Sequence, residues 1–168
     1  MNKSIATAVL AFALLLVNSE SAAAPKPASA SVAVVVHLYR DFAWEAVVEE
    51  PTSSGPGLLD QPRQVLAQYF DNNLVSLILK DRACTARTEG VCNLEFMPIW
   101  ASQDPGATQL KVLPTIDPSV VSVKFRYPST NELIELTYRL SKTRSGWRVR
   151  DIDYSSGPSL LNILEAKL

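Results

Sequence analysis

Histidine is almost absent from this 168-residue chain: His37 is its single copy, and cysteine and methionine occur twice each. A zinc site needs about four ligands, so no metal centre is expected. A Gly-rich phosphate loop, a Gly-x-Ser-x-Gly elbow and a His-Glu-x-x-His pair are missing too. Their absence removes the common motifs for nucleotide binding, serine hydrolysis and metal-dependent proteolysis, and no cofactor is expected. Charge of one sign is also lacking, since sixteen Lys and Arg stand against seventeen Asp and Glu. A dedicated nucleic-acid binder carries a strong basic surplus, so no nucleic-acid partner is expected. Beyond the N-terminal segment no apolar run approaches the roughly 20 residues that cross a bilayer, and no internal repeat occurs.

What is present begins with Lys3, an uncharged and mostly apolar run from Ile5 to Val17, and the small residues Ser19, Ser21, Ala22, Ala23 and Ala24. A charged start, a short apolar core and a small-residue cleavage site are the parts of a secretory signal peptide. Residues 1–23 are expected to be removed, because Ser21 and Ala23 form the small-x-small pattern. The apolar core is too short for a stable membrane anchor, and no cysteine lies near the cut to carry a lipid. Residues 24–30 (APKPASA) read as a flexible leader and 31–168 as a single α+β domain. The expected location is the periplasm of a bacterium, or the medium.

In such a compartment Cys84 and Cys92 are expected to form one disulfide. Closing so short a loop is worth roughly 2.5 kcal/mol in the chain-entropy model. A redox pair favours Cys-x-x-Cys, whereas seven residues separate these two.

Ser31 to Glu50 reads as a helix, with Val35, Leu38, Tyr39, Phe42, Ala43, Ala46 and Val47 near one face at three- and four-residue spacing. Pro51 to Gly57 is a loop, punctuated by Pro and Gly. A second helix is expected from Asp60, an N-cap candidate, with Pro62 in the first turn where proline is tolerated. Asp71 to Asn73 can cap a third helix ending near Cys84, and Thr85 to Ala107 reads as mostly irregular.

From Gln109 the period changes to two. Leu110 and Val112 suggest a strand; Val121, Val123, Phe125 and Tyr127 make a clean second; Ile134, Leu136, Tyr138 and Leu140 make a third. Trp147 to Tyr154 is a fourth, whose apolar spacing slips between Val149 and Ile152 as a bulge produces. Ser159 can cap a short last helix, Leu160 to Lys167. Helices ahead of an antiparallel meander of about four strands indicate an α+β fold, with helices on one face of a curved sheet.

The order of these pieces resembles the nuclear transport factor 2-like (cystatin-like) superfamily. Within it the chain is similar to the bacterial family called domain of unknown function 3828. The likeness is carried by Leu38-Tyr39 with Phe42, by Leu66-Ala67-Gln68-Tyr69-Phe70 with Leu74, and by Gln103-Asp104 after Phe96 and Pro98. The closing strand Trp147 to Tyr154 with Leu160-Leu161 completes it. Met97 stands where that family often has an acidic residue, so a role of that acid would be missing. The resemblance implies a cone-like pocket between the sheet and the helices, and no particular activity.

Several residues are candidates for a site. Gln103 and Asp104 beside Trp100 would rim a pocket or meet a partner; the plainer reading is a turn in which Asp104 accepts from nearby backbone N–H groups. The superfamily's ketosteroid isomerase type uses a carboxyl in an apolar pocket, and a buried carboxyl gains a raised pKa. Asp151, or else Asp104, would take that part, with Tyr39 or Tyr138 donating to an oxyanion. The plainer reading pairs Asp151 and Asp153 with Arg148 and Arg150 on a solvated face. His37 and Asp41, four apart, form either an acid/base dyad or a surface pair. Arg126, Arg139, Arg148 and Arg150 would make a positive patch for an acidic partner, or else the polar side of an ordinary sheet. These features favour a non-enzymatic module that binds a small apolar ligand or another envelope or exported protein, of which an immunity or inhibitor protein is one form. The alternatives are an isomerase- or dehydratase-type pocket enzyme and a structural homodimer.

Overall fold

Residues 29–47 and 55–166 are described by the structure, a computed structural model. The expected signal peptide, most of the leader, the end of the first expected helix, the head of the 51–57 loop and residues 167–168 lie outside the described residues. The elements run α1 (Ala30–Phe42), α2 (Arg63–Tyr69), α3 (Asn72–Thr88), β1 (Thr108–Pro114), β2 (Val120–Arg126), β3 (Leu133–Thr143), β4 (Gly146–Tyr154) and α4 (Leu160–Glu165). This is the expected α+β order.

The helix ends show local chemistry at work. The Ser29 side chain accepts from the N–H of Val32, satisfying one of the free donors of the first turn, so Ser29 and Ala30 belong to α1 rather than to the leader. The helix does not continue unbroken toward Glu50. After Phe42 it tightens into a 3₁₀ turn, Ala43–Ala46, which carries Glu45. The Glu45 carboxylate accepts from the N–H of Leu58 at 2.6 Å and from the Trp100 indole at 3.1 Å.

Asp60 is not the N-cap of α2. It ends a separate 3₁₀ turn, Leu58–Asp60, and α2 starts after Pro62, whose fixed φ and missing N–H suit a helix entrance. Asp71 does cap α3, with Oδ1 2.9 Å from the N–H of Leu74. That helix runs past Cys84 to Thr88 and closes on Glu89 in the left-handed region, φ 51°. The Cys84–Cys92 disulfide ties its last turn to the loop that follows. Ser159 caps α4 as expected.

The four strands are antiparallel neighbours in the order β1-β2-β3-β4. Val121, Val123 and Phe125 sit opposite Tyr138, Leu136 and Ile134, and this alternating set forms the buried face. The expected slip in β4 is a bulge: Arg139 pairs with Asp151 but Leu140 with Val149, leaving Arg150 as the extra residue. A second irregularity lies between Thr108 and Lys111 of β1, where Gln109 has φ 55°.

The helices cover the buried face. Val35, Leu38, Tyr39 and Phe42 of α1, Leu66 and Tyr69 of α2, Leu74, Val75 and Ile78 of α3 and Leu160 and Leu164 of α4 join the sheet in one core. Each such aliphatic side chain contributes roughly 1.5–3 kcal/mol on burial. The two sheet edges differ. The junction of α2 and α3 pairs with β4, Asp71 N–H donating to Val149 O at 2.9 Å, while β1 has a largely exposed edge. No helix among the described residues is long and apolar enough to cross a membrane.

Candidate functional site

The segment Pro98 to Ala101 lies in no helix or strand, yet Ile99 and Trp100 are fully buried. Buried carbonyls away from a ladder still need donors, and here tyrosines supply them. Tyr39 of α1 donates to Ile99 O at 2.7 Å. Tyr154 at the end of β4 donates to Pro98 O at 3.3 Å. The Tyr127 hydroxyl, just past β2, lies 2.9 Å from both Trp100 O and Ala101 O. Three phenols thus serve four consecutive carbonyls. With its proton committed to Ile99, the Tyr39 oxygen accepts from Tyr138, 2.9 Å away. Burial pushes the phenols of Tyr39, Tyr138 and Tyr154 far up, and that of Tyr127 up as well. The rings of Tyr39, Trp100 and Phe125 meet edge to face, a favoured arrangement for aromatic pairs.

Beside this segment opens a cleft of about 390 Å³. Its walls are Ile134, Leu136 and Tyr154 from the buried face, Phe96 and Tyr127, and Ile163 of α4, with Glu132, Ser155 and Ser156 among its other lining residues. Phe96 and Tyr154 touch edge to face with ring centres 5.3 Å apart.

The residues singled out from sequence fall mostly elsewhere. Trp100 is a core residue, 1% exposed, and lines no rim. Gln103 and Asp104 are exposed. The turn there is built by Ser102, not by the Asp104 side chain: Ser102 Oγ accepts from Asp104 N–H at 3.2 Å and donates to Asp104 O at 3.0 Å. Asp151 is buried, and its Oδ1 accepts from the N–H groups of Ile152 and Leu161, each at 2.8 Å. It therefore joins β4 to α4. Its β3 neighbour is Arg139, on the opposite face from Tyr138, so the structure does not bring Asp151 together with the Tyr39–Tyr138 pair. His37 makes no hydrogen bond to Asp41, which accepts instead from Tyr69 at 2.7 Å and from Arg40 at 3.0 Å. Those two hydrogen bonds, with the Arg40 and His37 charges, hold the Asp41 carboxyl below its usual range against the opposing pull of burial.

The arginines divide. Arg139 pairs with Asp153 at 2.7 Å. Arg126 donates to Asn131 O at 2.6 Å. Arg148 turns to α2, donating to Ala67 O at 2.7 Å. Arg150, put outward by the bulge, lines a small hollow with Arg139 and Asp151. Among the described residues no group of three or more His, Cys, Asp or Glu could hold a metal ion.

The resemblance implies a pocket between sheet and helices, but Glu45 and the residues lining this cleft are not among the candidates the sequence offers. Burial raises the Glu45 carboxyl above its ordinary range, against the pull of its two N–H donors. The local signal for the cleft is the inward alternation of β2 and β4, which ends on Tyr127 and Tyr154.

No protein-family model matches the chain, and no curated protein does. Among solved structures, it is similar to a phospholipid-binding protein from Ralstonia solanacearum, solved in complex with a phospholipid. The identity is 17%, 82% of this chain and 83% of that chain are covered, and the TM-score is 0.42, a level at which the likeness carries no argument about fold or function. The fold and the site define an α+β protein with an aromatic-walled cleft at one end of its sheet.

Proposed function

We propose that the protein is an exported, non-enzymatic binding module that holds a small, largely apolar ligand in the cleft between β3, β4 and α4. The observation that carries this is the cleft itself. Its volume, about 390 Å³, lies within the roughly 300–1,000 Å³ of small-ligand pockets. Its walls are mainly apolar and aromatic, with a few polar groups, as such pockets require. Binding is favoured over isomerase-type catalysis because Asp151 is committed to two backbone N–H groups, and the tyrosine pair lies on the other face. Export is supported by the N-terminal segment of the sequence and by the disulfide, since such bonds persist in oxidising compartments. The element order supports the nuclear transport factor 2-like resemblance.

The test is native mass spectrometry of the protein recovered from its producing cell, followed by titration with a neutral fluorescent apolar probe. The wild type should carry extra small-molecule mass or bind the probe. Ile163→Trp fills the cleft from the half-exposed side of α4 and should weaken probe binding by about tenfold or more, about 1.4 kcal/mol, with an unchanged far-ultraviolet spectrum. Equal binding by the two proteins would sink the assignment.

A further inference from the structure

The cleft has a definite electrical character. Among the described residues no Lys, Arg or His lines it, and the charged residue there is Glu132. Glu132 is exposed just before β3, and among the described residues no cation lies within ion-pair distance of its carboxylate. Its charge reaches the cleft wall, because it adds to burial in raising the Tyr127 phenol.

The hydroxyl protons nearby are largely spent. Tyr127 and Tyr154 donate to the backbone carbonyls of the 98–101 segment, and Ser155 donates to Glu135 O at 2.8 Å. These oxygens keep the capacity to accept, not to give. Phe96, Tyr127 and Tyr154 add three rings, whose π systems carry negative faces that attract cations. An anionic headgroup here would meet a carboxylate and acceptor oxygens with no compensating charge, and a buried charge without a partner is costly. A cationic head meets the reverse.

From this complementarity, and resting on the binding assignment above, we infer that the ligand is a cationic amphiphile. Its apolar body lies along Ile134, Leu136 and Ile163, and its protonated amine or quaternary ammonium group sits against Glu132 and the rings of Phe96, Tyr127 and Tyr154.

Three probes of matched chain length separate the possibilities: decyltrimethylammonium, decanol and decanoate, each kept below its micelle-forming concentration. Each would compete with the neutral fluorescent probe on the full folded protein. The ammonium should bind about tenfold more tightly than decanoate, with decanol between them. Glu132→Gln, a change at an exposed side chain, should remove most of that gap and leave decanol unchanged. Phe96→Leu should weaken the ammonium more than the alcohol. If decanol or decanoate binds as tightly as the ammonium, the cationic assignment fails and the binding module stands. A preference that survives Glu132→Gln intact would overturn the seat at Glu132. If none of the three displaces the probe, the cleft assignment fails together with this one.

Discussion

Two pairs of tyrosines serve the same buried segment in different surroundings. Tyr39 and Tyr138 meet under α1 with no water contact, both at 2% exposure or less. Tyr127 and Tyr154 do their bonding from the wall of an open cleft. Tyr39, Tyr127 and Tyr154 all donate to the carbonyls of Pro98 to Ala101. The closed pair is an anchor: its rings pack and its hydroxyls are mutually satisfied, so nothing remains to offer a ligand. The open pair fixes the same backbone while leaving ring surface uncovered. The difference teaches that hydroxyl bonding alone does not mark a site. What distinguishes the two is whether the ring's other side meets protein or space.

The largest expected effect comes from removing what both pairs hold. Trp100→Ala deletes the buried ring that packs on Tyr39 and Phe125 and should cost about 3–5 kcal/mol, read as a lower urea midpoint with the slope unchanged. Next is a direct contest between the pairs. Tyr39→Phe strips the donor from Ile99 O and the acceptor from Tyr138 where water has no access, and should cost about 1–3 kcal/mol. Tyr127→Phe, at the cleft, should cost about 0.5–1.5 kcal/mol, because water can reach the freed carbonyls. Equal losses would show that the cleft is closed and the comparison empty.

The smallest effect concerns pH. The Glu45 carboxyl is raised, so it favours the fold when protonated. Its contribution is full below the unfolded value, about 4.3, and is lost as pH rises through the higher folded value. Against Glu45→Gln, which does not titrate, the wild type should lose stability across that window. A parallel pair of stability–pH curves would remove Glu45 as a titrating group.

Much of this fold was legible in the sequence because its signals are local. The period-two runs of β2 and β3, the slip between Val149 and Ile152, and the caps Asp71 and Ser159 each depend on residues within a few positions. The 96–101 segment was illegible for the opposite reason. Its sequence pattern is irregular and so is its backbone, but its burial comes from tyrosines on α1, after β2 and on β4, the first of them 60 residues away. No periodicity announces such bonds. Trp100 next to Gln103 and Asp104 suggested a rim, and only the distant partners Glu45 and Tyr39 reveal that its ring points into the core. Asp151 carried the right chemical type for an acid or base. Its use as a tie between β4 and α4 depends on the bulge, which sets the face it occupies.

The placement of Trp100 has an optical consequence. Its indole is buried and hydrogen-bonded to Glu45, and its carbonyl lies 2.9 Å from the hydroxyl of Tyr127, which lines the cleft. The other two of the three tryptophans, Trp44 and Trp147, are partly exposed. Replacing both with Phe leaves a single tryptophan, buried in the core and one bond removed from the cleft wall. Its blue-shifted emission then becomes an internal gauge: occupancy of the cleft is read from the colour and lifetime of a residue the ligand never touches.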